Sequence, residues 1–324
     1  MDRRWLSACV ALLAIFPLPG TTAAQPIVVE AVSFDTNVPP RRPRSFRPIR
    51  LEARLYLPSE KAGAISAMVI TPSNAGIRAE REIFYAETLA RNGIAALVID
   101  SFSSRGVTAV IAGGSRITPW QSENDAFAGL RFLLRDPRIR SDRIGVMGVS
   151  RGGSVALQAM FRARQPWRGL GDLAFAAHVS ISPFCNFRHR NTATTGLPAL
   201  FLLAGRDDQT PPETCLTLID ELRKDGHGDI SLRIYDSAYH GWETIGPRPL
   251  FRPRVESLRR CKAIIEDDGT FTIADSRLRL RPPAARAWMR RNCMRRGSRC
   301  CGGTLRLRNE AAAEIVAFLK AKDF

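Results

Sequence analysis

The chain has 324 residues, 45% of them apolar and 24% charged, with 48 Lys and Arg against 31 Asp and Glu for a formal charge of +17. That composition excludes a disordered, collagenous or low-complexity polymer, and 7 cysteines are too few for a disulfide-framework mini-protein. No apolar run reaches the roughly 20 residues of a membrane-spanning helix, so a bundle of such helices is excluded as well.

The first segment reads as an address. Met1-Asp2-Arg3-Arg4 is followed by an apolar stretch from Trp5 to Leu18 and then by Thr22-Ala23-Ala24. A basic start, a short apolar run and small residues predict a signal peptide over residues 1–24, cleaved after Ala24, with residues 25–324 as one domain. Export to the periplasm or the medium follows. Cys9 leaves with the peptide, and six cysteines remain at 185, 215, 261, 293, 300 and 301. An even count in an oxidising compartment favours disulfides over metal or thiol chemistry. Two arginines and one aspartate also leave, so the mature charge is +16. Outside the cytoplasm no nucleic acid partner is expected; the charge suits an anionic envelope surface or anionic solutes.

Strands are predicted over 27–34 and 49–57, separated by the loop Pro39-Pro40-Arg41-Arg42-Pro43-Arg44, which cannot continue a ladder. Buried-type strands follow at 66–70, 95–99 and 143–149, with amphipathic helices at 80–92, 123–135 and 152–163. Further strands are predicted at 176–181, 198–204 and 231–235, with a helix at 213–224 and a last helix at 309–319. Strand alternating with helix implies an α/β fold: a mostly parallel central sheet with helices on both faces. Residues 250–308 break the rhythm. They carry eleven arginines between Arg277 and Arg308 with neither helix nor strand period, and read as a basic, Cys-containing insertion before the last helix.

Gly148-Val149-Ser150-Arg151-Gly152 lies between a strand and a helix. A sharp strand-to-helix turn lifts a serine hydroxyl above the sheet, and the helix N-terminus aims N–H groups at a developing oxyanion. Of four histidines, His178 lies inside a strand, His189 among arginines, and His227 in a turn at the opposite edge of a parallel sheet. His240 follows the strand ending at Tyr235 and so shares the C-terminal edge with Ser150. Asp207 or Asp208, after the strand ending at Ala204, supplies the orienting acid, and the other suits a helix N-cap before Pro211-Pro212-Glu213. The order Ser, Asp, His is that of α/β-hydrolases.

Residues 67–242 and the last helix resemble the dienelactone hydrolase family of α/β-hydrolases. The likeness rests on Gly-Val-Ser-Arg-Gly-Gly at 148–153, Gly-Arg-Asp-Asp-Gln-Thr-Pro at 205–211 and Tyr-Asp-Ser-Ala-Tyr-His-Gly-Trp at 235–242. The resemblance favours Asp207 as the acid, and likens Asp100–Gly106 to a loop bordering the substrate pocket. Members proper use a cysteine nucleophile, whereas Ser150 stands here, which implies a serine esterase of the wider family. Relatives carry His-Gly after the strand that ends at Ile70, where this chain has Thr71-Pro72-Ser73-Asn74. Pro72 lacks an N–H, so the oxyanion donors expected are Arg151 N–H and that of Ser73 or Asn74.

The expected activity is hydrolysis of small-molecule carboxylic esters through an acyl-enzyme, without cofactor or metal. The alternatives are a peptidase or amidase on the same residues, or a non-catalytic binding protein. Arg105 is either a ligand for a substrate carboxylate or a bridge within its own loop; Trp242 lines the acyl pocket or covers the sheet edge. Cys185 and Cys215 both lie near the catalytic edge and are expected to pair. Among the last four cysteines, Cys261–Cys293 with Cys300 and Cys301 left over is one arrangement. A zinc site has no supporting His and no C-x2-C spacing.

Overall fold

The structure is a computed structural model that describes residues 26–36, 48–60, 63–107, 117–162, 173–274, 276 and 278–324. The expected signal peptide, the Pro39–Arg44 loop and Arg277 lie outside the described residues.

Strands β1 (Ile27–Asp35), β2 (Arg50–Pro58), β3 (Ile65–Thr71), β4 (Ala95–Asp100), β5 (Ile139–Val149), β6 (His178–Ile181), β8 (Ala199–Ala204) and β9 (Ile230–Tyr235) form one sheet in the order β1-β2-β4-β3-β5-β6-β8-β9. A short β7 (Phe187–His189) lies elsewhere. The pairs β1–β2 and β2–β4 are antiparallel, and all the others are parallel. The reason is visible in the side chains. Met68 and Ile70 of β3 join one apolar cluster with α1 (Phe84–Arg91) and α6 (Leu305–Ala321). Ala67 and Val69 join another with α2 (Pro119–Leu133) on the opposite face. A strand that is apolar on both faces needs helices on both, as a parallel sheet provides. Helices α3 (Arg151–Ala159) and α4 (Pro212–Lys224) complete the second layer around Phe201 and Leu203.

Several element ends differ from the sequence expectation for local reasons. Helix α2 starts at Pro119 because Thr118 and Gln121 form a capping box ahead of a Pro at the first turn. Helix α6 starts at Leu305, where the Thr304 side chain caps Leu307 N–H. The expected helix over 80–92 opens with a π turn at Ala79–Ile83 before α1.

The insertion is structured. Strands β10 (Leu250–Ser257) and β14 (Arg295–Cys300) pair as an antiparallel ribbon. Strands β11 (Ala263–Ile265), β12 (Phe271–Ile273) and β13 (Arg279–Leu280) join β7 in a small sheet, packed against α5 (Pro282–Asn292). No strand period shows in β10 because nearly all of it is exposed, so neither face has to be apolar. The little core of Ala263, Ile273, Ala285 and Met289 includes the Cys261–Cys293 disulfide. A unit this small buries little surface, and such units commonly use a cross-link.

Candidate active site

Ser150 sits between β5 and α3 with φ 57° and ψ −111°, a left-handed backbone that costs a non-glycine residue on the order of 1 kcal/mol or more. The surroundings hold it there. Ser150 N–H donates to Ile181 O at 2.8 Å, and Ser150 O accepts from Ser154 N–H at 2.8 Å. The flanking glycines are required by contact. A Cβ on Gly152 would lie 2.2 Å from Thr71 O, and one on Gly153 would lie 2.5 Å from Ile181 O. Thus α3 lies directly against the ends of β3 and β6, and the turn has one way to go.

Three side chains from separate strand ends meet at this turn. His240 Nε2 lies 2.8 Å from Ser150 Oγ, and His240 Nδ1 lies 2.7 Å from Asp207 Oδ2. Asp207 accepts at Oδ1 from Gln209 N–H at 2.9 Å and Thr210 N–H at 2.8 Å, and at Oδ2 from Thr210 Oγ1 at 2.8 Å. These bonds keep a fully buried carboxylate ionised and aimed at the ring. Burial works against charge on both partners. The mutual attraction of the pair, with Thr210 at Asp207 and Glu243 near His240, prevails: Asp207 is held below the usual carboxylate range and His240 above the usual imidazole value. With Nδ1–H donated to the Asp207 carboxylate, Nε2 is the acceptor facing the Ser150 hydroxyl.

Asp208 is not a helix cap; the residue at that position of α4 is Pro211. Asp208 instead points into the insertion, where Oδ1 accepts from Ser298 Oγ at 2.7 Å and Arg299 N–H at 3.0 Å. Its carbonyl accepts from Arg259 Nη1 at 3.0 Å. The other histidines are satisfied elsewhere: His178 Nδ1 near Pro198 O at 3.3 Å, His189 Nε2 near Gln158 Oε1 at 2.6 Å, and His227 between Thr194 Oγ1 and Leu197 O.

One oxyanion expectation needs correction, and Arg105 and Trp242, each open to two readings, are not pocket residues. Ser73 N–H donates to the buried Glu82 carboxylate at 3.0 Å, so it is committed away from Ser150. Asn74 remains beside the turn, its Oδ1 accepting from Arg151 Nε at 2.6 Å. Arg105 forms a two-pronged ion pair with the fully buried Asp125, at 2.8 and 2.9 Å, and also donates to Ser101 O. Only the Ser101 contact is a bridge within its own loop; the ion pair reaches α2, and the guanidinium is engaged inside the protein. Trp242 is fully buried against Tyr235 in the core under α1 and α6, so it covers the sheet rather than lining a pocket. Its carbonyl is so close to the insertion that a Cβ on Gly303 would lie 1.6 Å away.

Sequence reasoning missed Glu82, Thr210 and Glu243. Only Thr210 carried a signal: a threonine three residues after an aspartate is placed to return a hydroxyl and an N–H to that carboxylate. Arg151 binds Asn74, Ile117 O and Ser122 Oγ, tying two loops and the first turn of α2 to the nucleophile turn. Its burial and the nearby Arg286 of α5 pull its guanidinium down to about 10. Among the described residues no cluster of three or more His, Cys, Asp or Glu is arranged to hold a metal. A surface cleft lined by Ser33, Phe34, Arg50, Arg131 and Arg138 contains none of the groups above.

Residues 51–250 match the family model described as "Dienelactone hydrolase family". The chain belongs to the dienelactone hydrolase family. The match includes Ser150, Asp207 and His240 and stops at the first residue of β10, so most of the insertion lies outside it. An uncharacterized Pseudomonas aeruginosa protein is 30% identical over 115 residues, which are 35% of this chain and 30% of that protein. The chain therefore matches less than a third of that relative's length. Among solved structures, a Pyrococcus furiosus esterase is 17% identical over 66% of this chain and 85% of its own, with a TM-score of 0.49. A dienelactone hydrolase-like promiscuous phosphotriesterase from metagenomic libraries is 19% identical over 66% and 84%, with a TM-score of 0.45. A Pyrococcus horikoshii acylaminoacyl peptidase is 16% identical over 66% and 38%, with a TM-score of 0.48.

The electrostatics of the His–Asp pair are directly measurable. Asp207→Asn leaves the imidazole buried but removes the charge that raises its pKa. The His240 ring, followed by NMR titration, is expected to lose its proton at lower pH than in the unsubstituted protein. An unchanged titration would contradict the assignment.

Proposed function

We propose that this hydrolase is an exported serine esterase that cleaves small carboxylic esters through an acyl-enzyme. The observation that carries the reading is the unbroken chain from Asp207 through His240 to the Ser150 hydroxyl. Ser150 Oγ attacks the ester carbonyl carbon as His240 Nε2 takes its proton. The carbonyl oxygen becomes an oxyanion at the N-terminus of α3. There it receives Arg151 N–H, and Asn74 N–H replaces Ser73 as the proposed second donor. Collapse breaks the bond to the alcohol oxygen, which leaves with the proton from His240. A water molecule, deprotonated by the same nitrogen, then attacks the acyl carbon and returns Ser150. Asp207 stays ionised throughout and stabilises the imidazolium.

Support for export is the pattern of residues 1–24 together with two cross-links, Cys185–Cys215 and Cys261–Cys293. The first joins the segment after β6 to the start of α4, so it braces the stretch that carries Asp207. A weak contact with an anionic envelope surface is proposed for the ribbon β10–β14. It exposes Arg252, Arg254, Arg295, Arg296 and Arg299 beside Phe251, which is 62% exposed.

A fluorophosphonate probe is expected to label the protein once, and Ser150→Ala to abolish both label and turnover of p-nitrophenyl esters, with a rate loss of at least about 10³-fold. Label surviving that substitution, or peptide amides turned over faster than esters, would overturn the reading. For the ribbon, co-sedimentation with anionic vesicles is expected and should fade as salt rises toward 0.5 M, an order-of-magnitude choice set by roughly nanometre screening at physiological salt. Binding indifferent to salt would contradict an electrostatic contact.

A further inference from the structure

Cys300 and Cys301 are the two described cysteines outside the disulfides. They are neighbours in the chain at the end of β14, and Cys301 has a φ of 69°, a left-handed backbone that L residues adopt only when held there. The two Sγ atoms lie 2.7 Å apart, closer than unbonded sulfurs normally approach. Both residues are half-buried, so a small solute reaches them.

The pair is attached to the active site through backbone. Cys300 forms a parallel bridge with His240, and Cys301 N–H donates to His240 O at 2.8 Å. The donating N–H belongs to the peptide bond that joins the two cysteines. The next two residues leave no slack: a Cβ on Gly302 would lie 2.5 Å from Arg248 C, and Gly303 abuts Trp242 O. The surrounding charges are unequal. Cys301 and Arg252 of β10 both hydrogen-bond Cys300 and hold its thiol well below the usual value against burial, while Cys301 is pushed up. Thiolate at Cys300 and thiol at Cys301 are the roles of an attacking and a resolving cysteine.

We propose that Cys300 and Cys301 are a redox-active dithiol that closes to a vicinal disulfide and so changes the charge facing His240. The oxidant is a small-molecule or protein disulfide. Cys300 thiolate attacks one of its sulfurs, forming a mixed disulfide and expelling a thiolate. Cys301 gives its proton to that thiolate and attacks Cys300 Sγ, expelling the second half, which takes a proton from water. Two thiols and one disulfide become one disulfide and two thiols, so electrons balance.

The consequence for His240 has a definite sign. The ring faces Asp207 from the loop after β8, Glu243 from its own loop and Cys300 from β14; Arg252 and Arg81 face the cysteines. All three groups facing the ring favour its protonated form. Oxidation removes the Cys300 thiolate, so the imidazole releases its proton at lower pH.

The test uses the whole protein with glutathione disulfide as probe. Peptide mapping is expected to show the 300–301 peptide losing two hydrogens, reversibly with mild thiol, while Cys185–Cys215 and Cys261–Cys293 persist. Cys301→Ser should stop at one glutathione adduct on Cys300. The His240 ring titration should move to lower pH on oxidation. Both readouts need no turnover, so they stand apart from the esterase reading. Two fully alkylatable thiols after excess oxidant, no adduct in Cys301→Ser, or a His240 titration identical in both states would each overturn the proposal.

Discussion

The backbone conformation of Ser150 is the constraint on which the rest depends. A left-handed residue between a buried strand and a helix persists only where its neighbours leave no alternative. Here the alternatives are removed by backbone contact. Gly148, Gly152 and Gly153 let α3 lie against Thr71, Ile181 and the end of β5 at distances no side chain would tolerate. The same arrangement puts the hydroxyl above the C-terminal rim of the sheet, where the loops after β8 and β9 also end. Strain in one residue is thereby converted into a fixed position for the hydroxyl oxygen that faces His240 Nε2.

The second half of the site is held by the insertion rather than by the sheet alone. Asp208, the residue after Asp207, is gripped by Ser298 and Arg299 of β14, and Ser257 Oγ donates to Gln209 O. The carbonyl of His240 is held by Cys301 N–H, just past the same end of β14. One short ribbon thus bonds the two residues that follow Asp207, its C-terminal neighbour bonds the backbone of His240, and a disulfide stabilises the unit that carries it. The family match ends where this ribbon begins, so the part of the chain that distinguishes it is also the part braced against the site.

The sheet was readable because its strands are runs of Val, Ile, Leu and Ala buried on both faces, a pattern that needs no knowledge of distant residues. Ser150, Asp207 and His240 were traceable for a related reason: each follows a strand, and parallel topology brings those strand ends to one rim. What escaped depends on contacts the chain order does not announce. The partner of Arg105 is Asp125, buried twenty residues on in α2, and chain order alone does not choose between it and a substrate carboxylate. Ser73 looked like a donor to the site until Glu82 was found accepting its N–H. Trp242 is buried in a core that α6, far along the chain, helps to form. The insertion showed no period because its ribbon is exposed along most of its length.

The central claim is that the hydroxyl at the strained turn attacks and carries the acyl group. Rapid-quench mass spectrometry during turnover of p-nitrophenyl acetate measures this most directly. The account predicts an acetyl group on the peptide containing Ser150, formed in a burst as fast as p-nitrophenol release. Turnover with no covalent adduct, or an acetyl group on any other residue, would contradict it.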